Sequence, residues 1–213
     1  MQYEKFLKSK YNLNFKSDYD NIFNWSIKYK ENFWDTIWDF CKVRGTKGKN
    51  KILKSKTFYK NLFLTDYKLN FAENILVKND NSKAITFLSE NGFREERSWF
   101  QLNQNVSKII TYFNKINIKK GDRVSAYLPN IIQTVESFVA TSAIGAIWSS
   151  CSPDFGLNGL VERFAQIKPK ILIIGDRYYY NGKEINVIER LPDILKNIKS
   201  IKHVLVINYP GKK

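Results

Sequence analysis

A parallel α/β sheet with helices on its faces is the architecture this sequence predicts, and three features carry the prediction. Gly121 to Gly156, GDRVSAYLPNIIQTVESFVATSAIGAIWSSCSPDFG, reads as strand, helix, strand and a turn-rich loop. The same alternation recurs downstream, where Ile171 to Ile174 and Val204 to Ile207 are apolar runs set among helix-period segments. Gly121, Pro129, Gly145 and Pro169 punctuate the boundaries. A strand, helix, strand unit of this length forms a parallel crossover, and open parallel sheets bind ligands at the carboxyl ends of their strands. Ser150 to Gly156 is therefore a candidate site loop.

Each element has a local reason. Met1 to Asn70 is rich in aromatic residues and lysine, and Trp25 to Val43 places Phe33, Ile37 and Phe40 beside Trp34, Trp38 and Cys41 on a broad apolar helical surface. The expectation is a helix packed on the main domain. Arg44 to Lys51, RGTKGKNK, lacks the Lys-Ser/Thr pair of a phosphate loop and reads as an exposed loop. Tyr67 to Leu76 is a docking segment leading into the first compact unit. Ala84 to Leu88 and Phe93 to Arg97 flank Asn91-Gly92, a strong hairpin signal. Ser98 with Gln101 forms a capping box for a helix that aligns Leu102, Val106, Ile109, Ile110 and Phe113.

In the central unit, Val124 to Leu128 is the first strand, and Asn130 is expected to cap the next helix with Gln133 as its reciprocal partner. Ile131, Val135 and Phe138 follow at helical spacing to Gly145, and Ala146 to Ser149 is the second strand. Leu157, Leu160, Val161 and Phe164 mark another amphipathic helix, stopped by Pro169. Tyr178 to Lys183, YYYNGK, reads as a second polar loop at a strand's carboxyl end. Val187 to Ile198 is helical, entered or interrupted at Pro192. The domain reading is 1–76 as a helical docking segment and 77–213 as an incomplete α/β domain.

Composition narrows the classes. The 213 residues carry a formal charge of +15, but the lysines are scattered among Asn, Ile, Tyr and Phe, all residues with A/T-rich codons. The reading is a solvated basic surface favourable to anionic cofactors, preferred over a basic nucleic-acid binder, whose DNA or RNA association would depend steeply on salt. No apolar run reaches the length of a membrane span and the N-terminus has no signal-peptide stretch, so a cytoplasmic, non-membrane protein is expected. Cys41 and Cys151 lack metal-ligand spacing and read as reduced thiols. His203 reads as a sheet-end residue, Arg163 as half of a surface ion pair with Glu162 or Asp154, and Ser149 and Ser150 lack a nucleophile-elbow context.

Taken in order and spacing, FWDTIWDFCKVRG, LNFAENIL, GDRVSAYLPN, SAIGAIWSSCSPDFG, VERFAQIKPK and YNGK resemble the adenylate-forming acyl-CoA ligases, from about Trp25 to the last residue. WSSCSPDFG resembles the acetoacetate-activating branch; acetyl-CoA and propionyl-CoA branches carry a His and a Gly-Gly-Phe stretch there. The resemblance implies a ligase of lipid and ketone-body metabolism that uses ATP, coenzyme A and Mg2+ to convert acetoacetate to acetoacetyl-CoA, AMP and diphosphate through an acyl-adenylate. The chain is about a third of such a ligase. The family's Ser/Thr/Gly-rich phosphate loop, acid pocket, ribose-binding aspartate and adenylation lysine have no counterpart in it, so no catalytic or metal-binding residue is assigned and the chain alone is expected to be inactive. Its partner would be the missing C-terminal portion of the ligase. An acetyl- or propionyl-CoA synthetase fragment and a non-catalytic coenzyme A-binding module are the alternatives.

The resemblance also implies part of a coenzyme A site. Residues matching Tyr180, Asn181, Gly182 and Lys183 lie beside the adenosine end of coenzyme A, and those matching Ser152, Pro153 and Asp154 form a neighbouring wall. Lys183 can meet a phosphate as a point charge and Tyr180 can lie against adenine, although related acetyl-CoA ligases place arginines where Tyr180 and Lys183 stand. On the residues alone, YNGK is a turn and SPDFG a loop leading into a helix.

Overall fold

The computed structural model describes residues 2–50, 52–53, 57–60 and 62–211; Lys51, the last residue of the basic loop, and Lys212 and Lys213 lie outside them. The chain divides into two compact units, Met1–Asn70 and Phe71–Lys213.

The first unit carries α1 (Gln2–Tyr11), α2 (Tyr19–Lys28) and α3 (Lys30–Phe40). Four two-residue strands follow, β1 (Gly45–Thr46), β2 (Ile52–Leu53), β3 (Leu62–Phe63) and β4 (Lys68–Leu69), with β1 antiparallel to β4 and β2 to β3. The 25–43 stretch is two helices, not one. Tyr29, at φ −117° and ψ 54°, leaves the helical region and ends α2 where α3 begins. Packing explains the break: residues 25 and 33 would stand about 12 Å apart along a straight helix, whereas the Trp25 and Phe33 rings meet with centroids 6.1 Å apart. Phe40 in turn packs on Tyr3 and Phe6 of α1 at 4.9 and 5.4 Å, and buried Trp38 meets Tyr67 edge-on at 5.0 Å.

A charged cluster closes this unit. Asp39 is salt-bridged to Lys10 at 3.0 Å and Lys47 at 2.8 Å and accepts the Tyr11 hydroxyl, while Lys47 also reaches Asp35 at 2.9 Å. Burial disfavours the Asp39 carboxylate, but the hydrogen bonds from Lys47, Tyr11 and Lys10 outweigh it and hold the group well below the usual carboxylate range. Tyr11 is pushed up to about 12 by burial and by its bond to Asp39.

The second unit opens with α4 (Phe71–Ile75), then β5 (Lys83–Leu88) and β6 (Arg94–Ser98), an antiparallel hairpin turning through Gly92 at φ 81°. The Ser98–Gln101 capping box forms as predicted and starts α5 (Trp99–Lys115), which buries Leu102, Val106 and Phe113. Next come β7 (Arg123–Tyr127), α6 (Ile132–Ala143), β8 (Ile147–Cys151), α7 (Leu157–Ile167) and β9 (Ile171–Gly175). A second hairpin, β10 (Arg177–Tyr180) and β11 (Lys183–Asn186), precedes a short 3-10 turn at Ile188–Arg190, α8 (Leu191–Asn197) and β12 (His203–Ile207). Pro192 sits in the first turn of α8, where its missing N–H costs nothing.

The predicted parallel sheet is present, in the order β12-β9-β7-β8 with every pair parallel. Alternate residues of its strands feed opposite layers. Val124, Ala126, Ile171 and Ile173 join a core with Leu102, Phe113 and Val139, whereas Tyr127, Leu172 and Ile174 join one with Leu160, Phe164 and Ile194. Helices therefore cover both faces. Buried Glu136 of α6 accepts from Arg97 Nε at 3.1 Å and Asn105 Nδ2 at 2.8 Å, which ties α6 to β6 and α5. The outer strands keep apolar surface: Ile147 on β8 is 52% exposed and Val206 on β12 is 45% exposed.

The expected Asn130 cap does not form. Helix α6 begins one residue later, with Ile131 in the cap position at ψ 166° and without a side-chain cap bond. The chain leaves β7 through Pro129, whose carbonyl accepts the Thr134 hydroxyl at 2.7 Å; that bond fixes the first turn in place of the predicted one.

Candidate functional site

The loops that could carry chemistry leave the carboxyl ends of β7, β8, β9 and β12. The YYYNGK stretch among them is not a polar loop. Tyr178 to Tyr180 belong to β10 and Lys183 to β11, and only Asn181 and Gly182 form the turn, at φ 52° and 73°. Two successive left-handed residues make the tight turn that suits the twist of a two-stranded ribbon, and Asn-Gly is its preferred sequence. Gly182 is required by that φ and not by crowding, since an added Cβ would meet nothing within 4 Å.

This hairpin sorts its side chains. Burial pushes the Tyr178 phenol up, and the nearby Asp154 carboxylate adds to the rise. Tyr180 is two residues further along the strand and so shares the Tyr178 face; Lys183 is the register partner of Tyr180 and shares it too. The opposite face holds the pair Tyr179 and Glu184, bonded at 2.6 Å, with Tyr209 edge-on to Tyr179 at 5.3 Å. Tyr180 is 62% exposed and Lys183 is also exposed. The Asp154-facing side of the ribbon thus ends in an exposed ring beside an exposed ammonium.

The 152–156 loop is held from beneath. Tyr127, fully buried at the end of β7, shares its hydroxyl proton between Pro153 O at 2.9 Å and Phe155 O at 2.8 Å. Arg190, from the 3-10 turn, donates to the same carbonyls at 3.0 and 3.3 Å and to the Tyr127 oxygen. Burial raises the Tyr127 phenol and the Arg190 charge opposes the rise. Ser152 Oγ donates to Asp154 at 2.6 Å, so the loop's one carboxylate is held by a neighbouring hydroxyl, and its charge helps to raise the Tyr178 phenol. Pro153 is buried, Asp154 exposed. Sequence reasoning missed Tyr127 and Arg190, because neither stands near the loop in the chain.

A third segment reaches the hairpin. Glu90, in the β5–β6 loop, accepts from Asn181 N and Gly182 N at 3.0 Å each. Beside it lies a cavity of about 520 Å3 bounded by β5, Ser89, Glu90, the Pro129–Ile132 connection, Tyr178, Tyr179 and Tyr209.

Of the other singled-out residues, Arg163 alone touches this arrangement. Cys41 and Cys151 are free, the first exposed and the second buried with its thiol pushed up by desolvation. His203 starts β12 opposite Ile171, a sheet-end position as read. Arg163 stacks its guanidinium 4.4 Å from the Phe155 ring centroid, a cation–π contact. Trp148 Nε1 donates to Ser150 Oγ at 3.2 Å. Among the described residues, no group of three His, Cys, Asp or Glu could hold a metal ion, and no helix is long and apolar enough to cross a membrane.

A parallel sheet covered by helices, with its polar loops gathered at the carboxyl strand ends, defines the class as an α/β ligand-binding domain. The AMP-binding enzyme family matches residues 73–212, and the chain belongs to that family. Over 195 residues, 92% of the chain, it is 36% identical to acetoacetyl-coenzyme A synthetase of Rhizobium meliloti (strain 1021), and over 197 residues it is 36% identical to acetoacetyl-CoA synthetase of Xenopus tropicalis. The solved acetoacetyl-CoA synthetase from Streptomyces lividans superposes on the whole chain with a TM-score of 0.90 at 26% identity. The chain spans about 30% of the length of these relatives and 33% of that structure.

Proposed function

We propose that the chain is the N-terminal part of an acetoacetate–CoA ligase, the enzyme that joins acetoacetate to coenzyme A with cleavage of ATP to AMP and diphosphate. Within it, residues 1–76 are the docking segment and 77–213 the first part of the ligase domain, completed by the C-terminal portion of the enzyme. Its contribution is a wall for the adenosine end of coenzyme A, built from Ser152, Pro153 and Asp154 on one side and Tyr180, Asn181, Gly182 and Lys183 on the other. The single observation that carries this reading is the ribbon register, because Tyr180 and its partner Lys183 share the strand face of Tyr178, whose phenol the Asp154 carboxylate of the 152–156 loop helps to raise.

The residues fit the ligand's chemistry. Lys183 offers a mobile positive charge to a phosphate, and Tyr180 offers a ring on which adenine can stack. Asp154, held by Ser152, is an acceptor for an amine or hydroxyl donor on the ligand. Arg163 and Arg190 add positive charge around the same loop. Coenzyme A supplies the thiol that takes up the acyl group; ATP and Mg2+ act at residues the chain does not contain, and the setting is the cytoplasm.

The test has two arms. The 213-residue chain should bind coenzyme A with a preference over pantetheine, and Lys183→Gln together with Tyr180→Ala should remove that preference. The chain alone should release no pyrophosphate with ATP and acetoacetate, whereas the chain rejoined to its remaining ligase sequence should. Equal binding of coenzyme A and pantetheine would remove the adenosine wall; acetate-dependent release without acetoacetate-dependent release would move the acid to the acetyl branch.

A further inference from the structure

Two consecutive left-handed residues aim their amides in one direction and make a small anion cradle. At Asn181 and Gly182 that cradle is already filled, because Glu90 places one carboxylate oxygen on each amide at 3.0 Å. The bond is not needed to form the ribbon. The strands β10 and β11 hold four register pairs from Arg177–Asn186 to Tyr180–Lys183, and Asn-Gly closes such a ribbon unaided. Nor are the amides buried, since both residues are exposed and water would satisfy them. The carboxylate therefore contributes chiefly its charge, placed on the turn amides that precede Lys183 in the chain.

We infer that Glu90 is a specificity-determining residue of this face: an internal anion that closes the 181–182 amides to a ligand phosphate, leaves Lys183 as the ribbon's phosphate contact, and holds down the preference for a phosphorylated adenosine end. The inference rests on the reading of Tyr180 and Lys183 as lining for coenzyme A. It assigns the site's chemical class more narrowly, as an adenosine pocket with a tuned, single-cation phosphate contact.

The experiment is calorimetric titration of the 213-residue chain with coenzyme A and with dephospho-coenzyme A, which lacks the ribose phosphate. Glu90→Gln keeps the side chain's volume and one acceptor but removes the charge. For a phosphate roughly 7 Å from that charge in water, it should tighten coenzyme A about threefold per phosphate charge, leave dephospho-coenzyme A unchanged, and lose the gain as salt is raised. Glu90→Ala, which frees both amides, should gain at least as much. If Glu90→Gln leaves coenzyme A binding unaltered, or weakens both ligands alike, Glu90 is a strap between two hairpins and the inference is overturned while the coenzyme A reading stands. If the wild-type chain binds neither ligand, or Lys183→Gln changes nothing, the reading itself fails and the inference falls with it.

Discussion

Tyr127 and Arg190 serve the same two carbonyls, and that sharing predicts a specific non-additivity. Tyr127→Phe keeps the buried ring and removes one hydroxyl proton divided between Pro153 O and Phe155 O. Arg190 still reaches both oxygens, so the loss should be about 1 kcal/mol, the net worth of one hydrogen bond. Arg190→Met removes a charged donor to the same carbonyls and should cost about 2 kcal/mol. The double variant leaves both carbonyls without either donor, and the cost of stranding a polar group is larger than that of losing one of two partners. It should therefore exceed the sum of the single losses by about 1 kcal/mol. Urea unfolding measures all three, with an unchanged m-value showing that the unfolded state is the same. For a chain of this size each kcal/mol also corresponds to a melting shift of about 2–4 °C. Additivity within about 0.3 kcal/mol would refute the shared clasp, because sites that act independently add.

Asp39 gives a pH dependence with a defined sign. Its folded-state pKa is depressed, so the stability it contributes is complete above the ordinary carboxylate value and is lost as pH falls from about 4 toward the folded value; tryptophan fluorescence melts should show that slope, and Asp39→Asn should flatten it. Ser98→Ala should lower stability by about 1 kcal/mol through loss of the capping box that opens α5, read by urea unfolding. Gly182→Ala, forced to keep φ at 73°, should cost about 1 kcal/mol and increase exchange of the turn amides. The exposed Ile147 and Val206 sit on opposite edge strands, and light scattering should rise with concentration for the wild type and fall when both are replaced by lysine.

Much of the fold was legible because it rests on local period. The apolar runs at 124–128, 171–174 and 204–207 and the helical faces between them specify parallel strands, and the capping box at Ser98 marks its helix start to the residue. The failures have physical causes. Asn130 has a capping side chain, but the exit path from β7 through Pro129 sets the helix start beyond its reach. Tyr29 carries no breaker signal; the bend there comes from ring contacts made by Trp25 and Phe33, which no local pattern encodes. Asn181-Gly182 carries the same turn signal as Asn91-Gly92, so YNGK is legible as a turn, whereas the strands flanking it at 177–186 lie in a stretch expected to be a polar loop. Glu90, Tyr127 and Arg190 were beyond reach, because each meets its partners across a long stretch of chain.

The candidate site inherits its geometry from the register of the sheet. Tyr127 is the last residue of β7 and lies opposite Cys151 on β8 and Ile174 on β9. Since Pro153 follows Cys151 by two residues, that register brings the Tyr127 hydroxyl to the height at which the loop turns away. The same end of β9 leads through Asp176, whose carboxylate binds Arg177 and the Tyr209 amide, into the ribbon that carries Tyr178 and Tyr180. A slip of one residue in β7 would turn Tyr127 toward the other layer, where Val124 and Ala126 pack, and would leave the loop carbonyls to Arg190 alone. Strand pairing is thus what sets the 152–156 loop against the ribbon, and side chains at the strand ends fix the remaining freedom. The four parallel strands and the two-stranded ribbon therefore act as one positioning device for Asp154, Tyr180 and Lys183.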